Sequence, residues 1–206
     1  GCRFTPFGSL DLPAARKAIT CNGLSKTMNL AGLALCNVVV PDAALRERVA
    51  ALIMGTGAFS VNPISEAGFV AGWRAGGPWL DALMRHVDGN RRFVAEFLAE
   101  RLPSVSLVSP EATYLLWLDF RGLGLTPVEI TERLATRARV HIEDGTAFGP
   151  GGAGFFRVNV ACPRSMLAEA MERIAEHVKP GSSLIIADDG PSRETGKGTD
   201  FVMLTR

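Results

Sequence analysis

The chain predicts a mixed α/β fold in two stages, and three patterns carry that expectation. β-rich runs near the start give way to helical spacing, and one amphipathic helical pattern of more than twenty residues crosses the middle. Beyond it, short strands alternate with helices, the signature of a compact α+β layer.

The elements follow in order. "KAITCNGL" and "LALCNVVV" are rich in β-branched and apolar residues and predict two strands. "DAALRERVAALIMGTG" has helical spacing with Asp42 placed to cap it, and "PISEAGFVAGWRAG" predicts a second helix. In "GPWLDALMRHVDGNRRFVAEFLAERL", residues Trp79, Leu80, Leu83, Met84, Val87, Phe93, Val94, Phe97 and Leu98 form one apolar stripe, fit for core or for an oligomer seam, and Pro103 ends the helix. Strands at "VSLVS" and "TYLLWLDF", a helix at "TPVEITERLATRAR", a strand at "VHI", a glycine-rich loop, a strand at "FFRVNVA" and a helix at "SMLAEAMERIAEHV" complete the series. From Pro180 the composition turns small, polar and charged, which predicts a poorly ordered tail over 180–206.

Composition narrows the function classes. With 22 basic and 21 acidic residues interleaved in a chain of 206, the net charge is +1 and offers no electrostatic reason for nucleic acid or an anionic membrane as partner. A small or zwitterionic ligand suits it better. The longest apolar run, residues 30–40, is interrupted by Asn37 and falls short of the roughly 20 residues a membrane helix needs. Cys2, Cys21, Cys36 and Cys162 show no paired spacing, so reduced, buried thiols in a cytoplasmic protein are expected. His86, His141 and His177 lack metal-ligand spacing, and no metal is expected.

Two motif-like runs carry little. "FGPGGAGFF" is followed by a strand pattern, whereas a dinucleotide fingerprint needs a strand before it and a helix after it. "GPSRETGKGT" places five residues between Gly190 and Gly196 and puts Gly198 where a P-loop needs Ser or Thr, so it is a chance similarity.

The unusual feature is Lys26, alone in the nearly uncharged run "TCNGLSKTMNLAGLALCNVVV". Lysine is among the residues least often buried unless it is paired or chemically occupied. On composition alone the plainer reading prevails: its stem lies on apolar surface and its ammonium reaches water. The chemical alternative is an amine of lowered pKa that bonds covalently to an aldehyde cofactor, pyridoxal 5'-phosphate.

The segment "LSKTMNLAGLALCNVVVPD" resembles the cofactor-lysine segment of fold-type-I pyridoxal-phosphate enzymes, in particular the cystathionine β-lyase-like carbon–sulfur lyases of the class I and II aminotransferase group. "GGPWLDAL", "EATYLLWLDFRGLGL" and "DGTAFGPGGAGFFRVNVACPRSMLAEAMERI" resemble later blocks of that group, in order, so the resemblance runs from about Phe4 to Val178. It implies an aminotransferase-like α/β fold of type I. Residues 1–75 would be the end of the large cofactor-binding domain, and 76–179 a connecting helix and the small C-terminal α+β domain.

By the same resemblance Lys26 carries pyridoxal phosphate and then acts as the catalytic base toward the substrate Cα proton. Ser25 would either donate to the cofactor phosphate or cap the turn; the wider group places its phosphate-binding serine three residues before the lysine, where this chain has Gly23. Arg157 matches the arginine that grips the substrate α-carboxylate, a task suited to a guanidinium's two parallel donors. Arg164 is the decoy, at a helix start. Tyr114 is expected to approach the substrate, while Trp117 is expected to pack in the core.

Family members are about twice this length, as a large and a small domain require. The opening "GCRFTPFGSL" has neither a start signal nor a pattern of its own, and it is read as a cut. The half before it would hold the phosphate cradle, the ring-stacking aromatic and the aspartate facing the pyridine nitrogen. A chain lacking that half is expected to retain cofactor weakly and to show little activity. Three functional readings follow: a carbon–sulfur β-lyase acting on a small amino-acid substrate as a homodimer, an aminotransferase of the same fold, or an inactive fragment or dimerising interaction module.

Overall fold

The computed structural model describes residues 3–58, 60–179 and 203–204. The chain forms two compact units, 1–84 and 85–206. The first contains α1 (Pro13–Arg16), β1 (Thr20–Gly23), β2 (Cys36–Val39), α2 (Ala43–Gly55), α3 (Pro63–Ala75) and the start of α4 (Gly77–Arg101). β1 and β2 pair antiparallel, with Thr20 opposite Val39 and Gly23 opposite Cys36, as the two β-rich runs predict. Asp42 caps α2 by accepting from the Leu45 amide at 2.8 Å, and Arg46 fastens the entry by donating to the carbonyls of Val40 and Pro41. Asn62 caps α3, whose first residue is a proline preset for the helical φ.

Much of the apolar surface of this unit stays uncovered. All four residues of β2 are exposed, α2 buries none, and Ile64 is 74% exposed. A two-stranded ribbon with two helices has too little area to enclose so many apolar side chains. The expectation of buried thiols fails here for that reason: Cys21 and Cys36 are exposed on the ribbon, and of the described cysteines Cys162 alone is buried.

The second unit contains the rest of α4, then β3 (Ser106–Val108), β4 (Leu115–Asp119), α5 (Pro127–Glu132), β5 (Val140–His141), β6 (Glu143–Asp144), β7 (Phe155–Asn159), α6 (Arg164–His177) and β8 (Met203–Leu204). Four strands form an antiparallel sheet in the order β3-β4-β7-β6. The two central strands alternate strictly. Leu116, Leu118, Phe156 and Val158 are buried on one face, while Trp117, Phe155 and Arg157 lie half-buried on the other. The buried face joins Val94, Leu167, Met171 and Ile174 in the core, and Phe120 meets Phe156 edge to face at 5.1 Å.

The middle stripe divides along α4. Val87, Val94, Phe97 and Leu98 enter the core, whereas Trp79 and Met84 are exposed. Arg101 clasps Glu172 of α6 with two hydrogen bonds, at 3.1 and 2.9 Å. α5 starts from a capping box between Thr126 and Glu129 and continues as a π-helical turn over Arg133–Ala138. Two strands escape the sequence patterns, β6 and β8, each only two residues long. β8 pairs with β5, Val140 opposite Leu204; the rest of the expected tail and the P-loop-like run lie outside the described residues.

The glycine-rich run before β7 has a packing explanation. Two 3-10 turns, Gly145–Phe148 and Pro150–Gly152, fold the backbone onto itself, and a Cβ on Gly152 would strike the backbone of Gly145.

Candidate functional site

The residues expected to act fall in both units, Ser25 and Lys26 in the first, Tyr114 and Arg157 in the second. Each group has its own local geometry.

Lys26 sits at a turn directly after β1. The Met28 amide donates to the Leu24 carbonyl at 2.9 Å, which closes the turn, and Asn29 takes a left-handed φ of 54° to leave it. Leu24 is 2% exposed and anchors the turn, Ser25 after it is half-buried, and Lys26 and Thr27 project outward. Lys26 is therefore exposed in this unit, in keeping with the composition-only reading rather than with a desolvated pocket, because Leu24 points inward at a bend where the lysine's own side chain points out.

The anchor is seated by a feature the sequence patterns left unread. Gly68 and Gly72 of α3 and Gly76 at its C-cap recur every four residues, on one helical face. A Cβ on Gly68 would lie 2.7 Å from Leu33, one on Gly72 2.6 Å from Leu24, and one on Gly76 2.6 Å from Met28. Absent side chains thus let the helix backbone approach the whole lysine-bearing loop from Leu24 to Leu33. The signal was present as the G-x-x-x-G-x-x-x-G spacing in "AGFVAGWRAGG".

This turn fits an aldehyde cofactor as an attachment point: it offers a primary amine on a braced bend, flanked by the hydroxyls of Ser25 and Thr27. It supplies no carboxylate for a pyridine nitrogen and no aromatic ring for stacking.

Arg157 lies at the centre of the open face of the sheet. The register sets Trp117 opposite it on β4 and Glu143 opposite it on β6. Arg157 forms an ion pair with Glu143, and its guanidinium lies over the Phe148 ring at 4.5 Å. Phe148 meets Trp117 edge-on at 5.6 Å, and Trp117 stacks on Phe155 at 5.8 Å with 16° between planes. Arg121 closes the row from the far side, 4.4 Å over Phe155, while two hydrogen bonds from its guanidinium and one from its backbone amide hold the Asp119 carboxyl below the usual carboxylate range. A cation thus caps each end of a three-ring row, and Phe148 remains 51% exposed.

Trp117, expected in the core, belongs to this half-buried face beside Arg157. Tyr114 precedes β4 and is half-buried; its carbonyl accepts from the Val160 amide at 2.9 Å. Arg164 opens α6, as its sequence position suggests, donating from Nε to Asn90 Oδ1 at 2.7 Å and lying 4.7 Å over the Phe93 ring. Asn90, fully buried, donates in turn to the carbonyls of Val160 and Cys162 at 2.7 and 2.9 Å, just beyond β7. Among the described residues no group of three or more His, Cys, Asp or Glu is placed to hold a metal, and no helix is long and apolar enough to cross a membrane.

Comparison with known proteins places these features in a wider group. Residues 6–174 match the family of class I and II aminotransferases. A cystathionine β-lyase of Bacillus subtilis, PatB, is 37% identical over 174 residues, covering 84% of this chain and 45% of that protein. Among solved structures, a pyridoxal-phosphate-bound putative aminotransferase from Clostridium difficile superimposes with a TM-score of 0.81 at 34% identity, covering 84% of this chain and 45% of that one. Cystalysin from Treponema denticola, which contains pyridoxal 5'-phosphate, gives 0.78 at 32% identity and covers 86% and 45%. The chain therefore spans about 45% of the length of the proteins it matches.

Proposed function

The chain belongs to the class I and II aminotransferase family and has the type I fold of its pyridoxal-phosphate-dependent members, and from that premise we propose that it forms part of a carbon–sulfur β-lyase acting on a small sulfur-containing amino acid. The observation that carries the reading is Lys26 itself, an amine projecting from a turn braced by a line of glycines, in a chain 37% identical to a cystathionine β-lyase over 174 residues. In that reading residues 1–75 are the end of a large cofactor-binding domain, and 76–179 are the connecting helix with the small domain.

When bound, pyridoxal phosphate supplies an aldehyde carbon for Lys26 and an electron-withdrawing ring for negative charge arising at the substrate Cα. Lys26 Nζ would hold the aldehyde carbon and, as a free amine, would take the substrate Cα proton. The pair released from Cα–H would form a Cα=Cβ double bond as the Cβ–S bond breaks and the thiolate leaves with its own bonding pair. Ser25 offers its hydroxyl to the cofactor phosphate. Arg157 holds the α-carboxylate through parallel N–H donors, which fixes the orientation of the Cα–H bond. Tyr114 is assigned to the substrate side of the same domain.

The assembly we assign is a homodimer, with the exposed Trp79 and Met84 of α4 among the residues available to an interface. The compartment we assign is the cytoplasm, in keeping with the unbridged Cys21, Cys36 and Cys162. Incubation with pyridoxal phosphate, borohydride reduction and peptide mass mapping tests the attachment. A cofactor-sized mass on the Lys26 peptide that vanishes in Lys26→Ala is expected, and labelling spread evenly over other lysines sinks the assignment. Product analysis with the complete protein then separates the chemistries. Thiol and ammonia mark β-elimination, whereas a keto acid retaining its sulfur marks transamination, the second reading.

A further inference from the structure

We propose that Glu143 is a built-in competitor for the substrate carboxylate at Arg157, so that binding requires an exchange of one carboxylate for another. The inference rests on the reading of Arg157 as the carboxylate-binding residue and adds a residue that sets how tightly and how selectively it binds.

The register comes first. Glu143 and Arg157 are direct antiparallel partners on β6 and β7, a placement that brings Cβ atoms to about 5 Å and keeps them there for as long as the sheet exists. The Glu143 carboxylate is thus held beside the guanidinium by the backbone, as a tethered ligand at high effective concentration. The ion pair engages Nη2 of Arg157, and a bidentate grip on an incoming carboxylate needs two parallel donors from one guanidinium edge. Arg157 Nε is buried, so an incoming carboxylate can reach only the outer Nη edge, where Glu143 already stands beside Nη2.

Glu143 is not needed to aim the arginine. The Arg157 guanidinium rests on Phe148 at 4.5 Å, and Phe148 is itself braced by Trp117, which stacks on Phe155. The aromatic row therefore fixes where the cation lies, and Glu143 adds an opposing charge to a cation already placed. Both partners remain reachable from solvent, with side-chain exposures of 20% for Arg157 and 35% for Glu143, so an exchange of carboxylates needs no opening of the core. The consequence is selectivity: a ligand with a full carboxylate displaces Glu143, while a neutral amide or alcohol of the same shape cannot repay the broken ion pair.

The test uses the full 206-residue chain and 3-(methylthio)propionate, a thioether carboxylate without an amine and so unable to bond covalently to an aldehyde cofactor. Binding is followed by NMR through the arginine Nε–H signals, with 3-(methylthio)propionamide as the neutral control. Glu143→Gln, nearly isosteric, is expected to tighten the carboxylate about ten-fold, the scale of one partly exposed charged partner lost. The amide control should stay unchanged. Glu143→Ser, which shortens the side chain, should tighten it likewise and guards against a fold-specific effect of glutamine. Equal or weaker binding in both variants, alongside weaker binding in Arg157→Gln, overturns the competitor role and leaves Arg157 its task. Unchanged binding in Arg157→Gln, or no binding to any of the proteins, overturns the reading of Arg157 itself.

Discussion

Asn90→Ala in α4 should destabilise the second unit more than any surface substitution, by about 3 kcal/mol, and the figure follows from its hydrogen bonds. The side chain is fully buried and uses both amide hydrogens, at 2.7 Å to the Val160 carbonyl and 2.9 Å to that of Cys162. Its oxygen accepts from Arg164 Nε at 2.7 Å. His86 Nε2 lies 2.8 Å from the Cys162 carbonyl and must carry its proton there to donate, so its 3.2 Å approach to Asn90 is a contact rather than a third donation. Three bonds are lost on truncation, each worth about 1 kcal/mol net, and one involves a charged donor worth somewhat more. The Cys162 carbonyl keeps His86, which moderates the loss, while the Val160 carbonyl is stranded, which adds to it. For a unit of this size each 1 kcal/mol corresponds to roughly 4–8 °C, so the expected fall in Tm is about 12–24 °C. Thermal and urea unfolding followed by near-ultraviolet circular dichroism measure it, with Glu100→Ala, on the exposed side of the same helix, as the control. A loss below about 1 kcal/mol would mean that the carbonyls beyond β7 find other donors, and the latch would not be what fixes that segment.

Two further expectations follow from the packing. Gly72→Leu forces a side chain where Leu24 already lies within 2.6 Å of a bare Cβ, so it should push the lysine-bearing turn away from α3 and cut borohydride-trapped cofactor on Lys26 several-fold, despite leucine's better helix propensity; trapping equal to wild type refutes the bracing role. In native protein Cys21 and Cys36 should react with a thiol reagent within minutes, whereas Cys162, buried and with its thiol pKa pushed up by that burial, should react only on unfolding; peptide mapping of the labelled chain would expose an early Cys162 adduct as contrary.

The parts legible in the sequence are those where local chemistry and long-range packing agree. Asp42 caps α2 because a side-chain oxygen beside the first turn needs no distant partner, and the alternation in "LLWLD" and "FFRVN" predicts two-faced strands because both are central in their sheet. Legibility fails where neighbours distant in sequence decide. Trp117 looks like core from its apolar flanks, yet its face is set by the register with Arg157, forty residues away. Lys26 shares its run with buried Leu24 and half-buried Met28, and a turn sends those flanking residues and the lysine in opposite directions, which a linear reading cannot display.

Glu143 shows why this matters for function. A two-residue strand has no periodicity to read, so "IEDG" passes as loop, and the carboxylate facing the candidate substrate arginine goes unseen. Family resemblance identifies Arg157 by its motif but is silent about what that arginine already holds. The pairing of β6 with β7 supplies the missing term, because it turns an isolated guanidinium into one with a fixed rival for the same donors. Affinity at such a site is then a difference between two carboxylates, and a substitution at position 143 shifts that difference while leaving in place both Lys26, the proposed cofactor lysine, and Arg157, the proposed carboxylate-binding arginine.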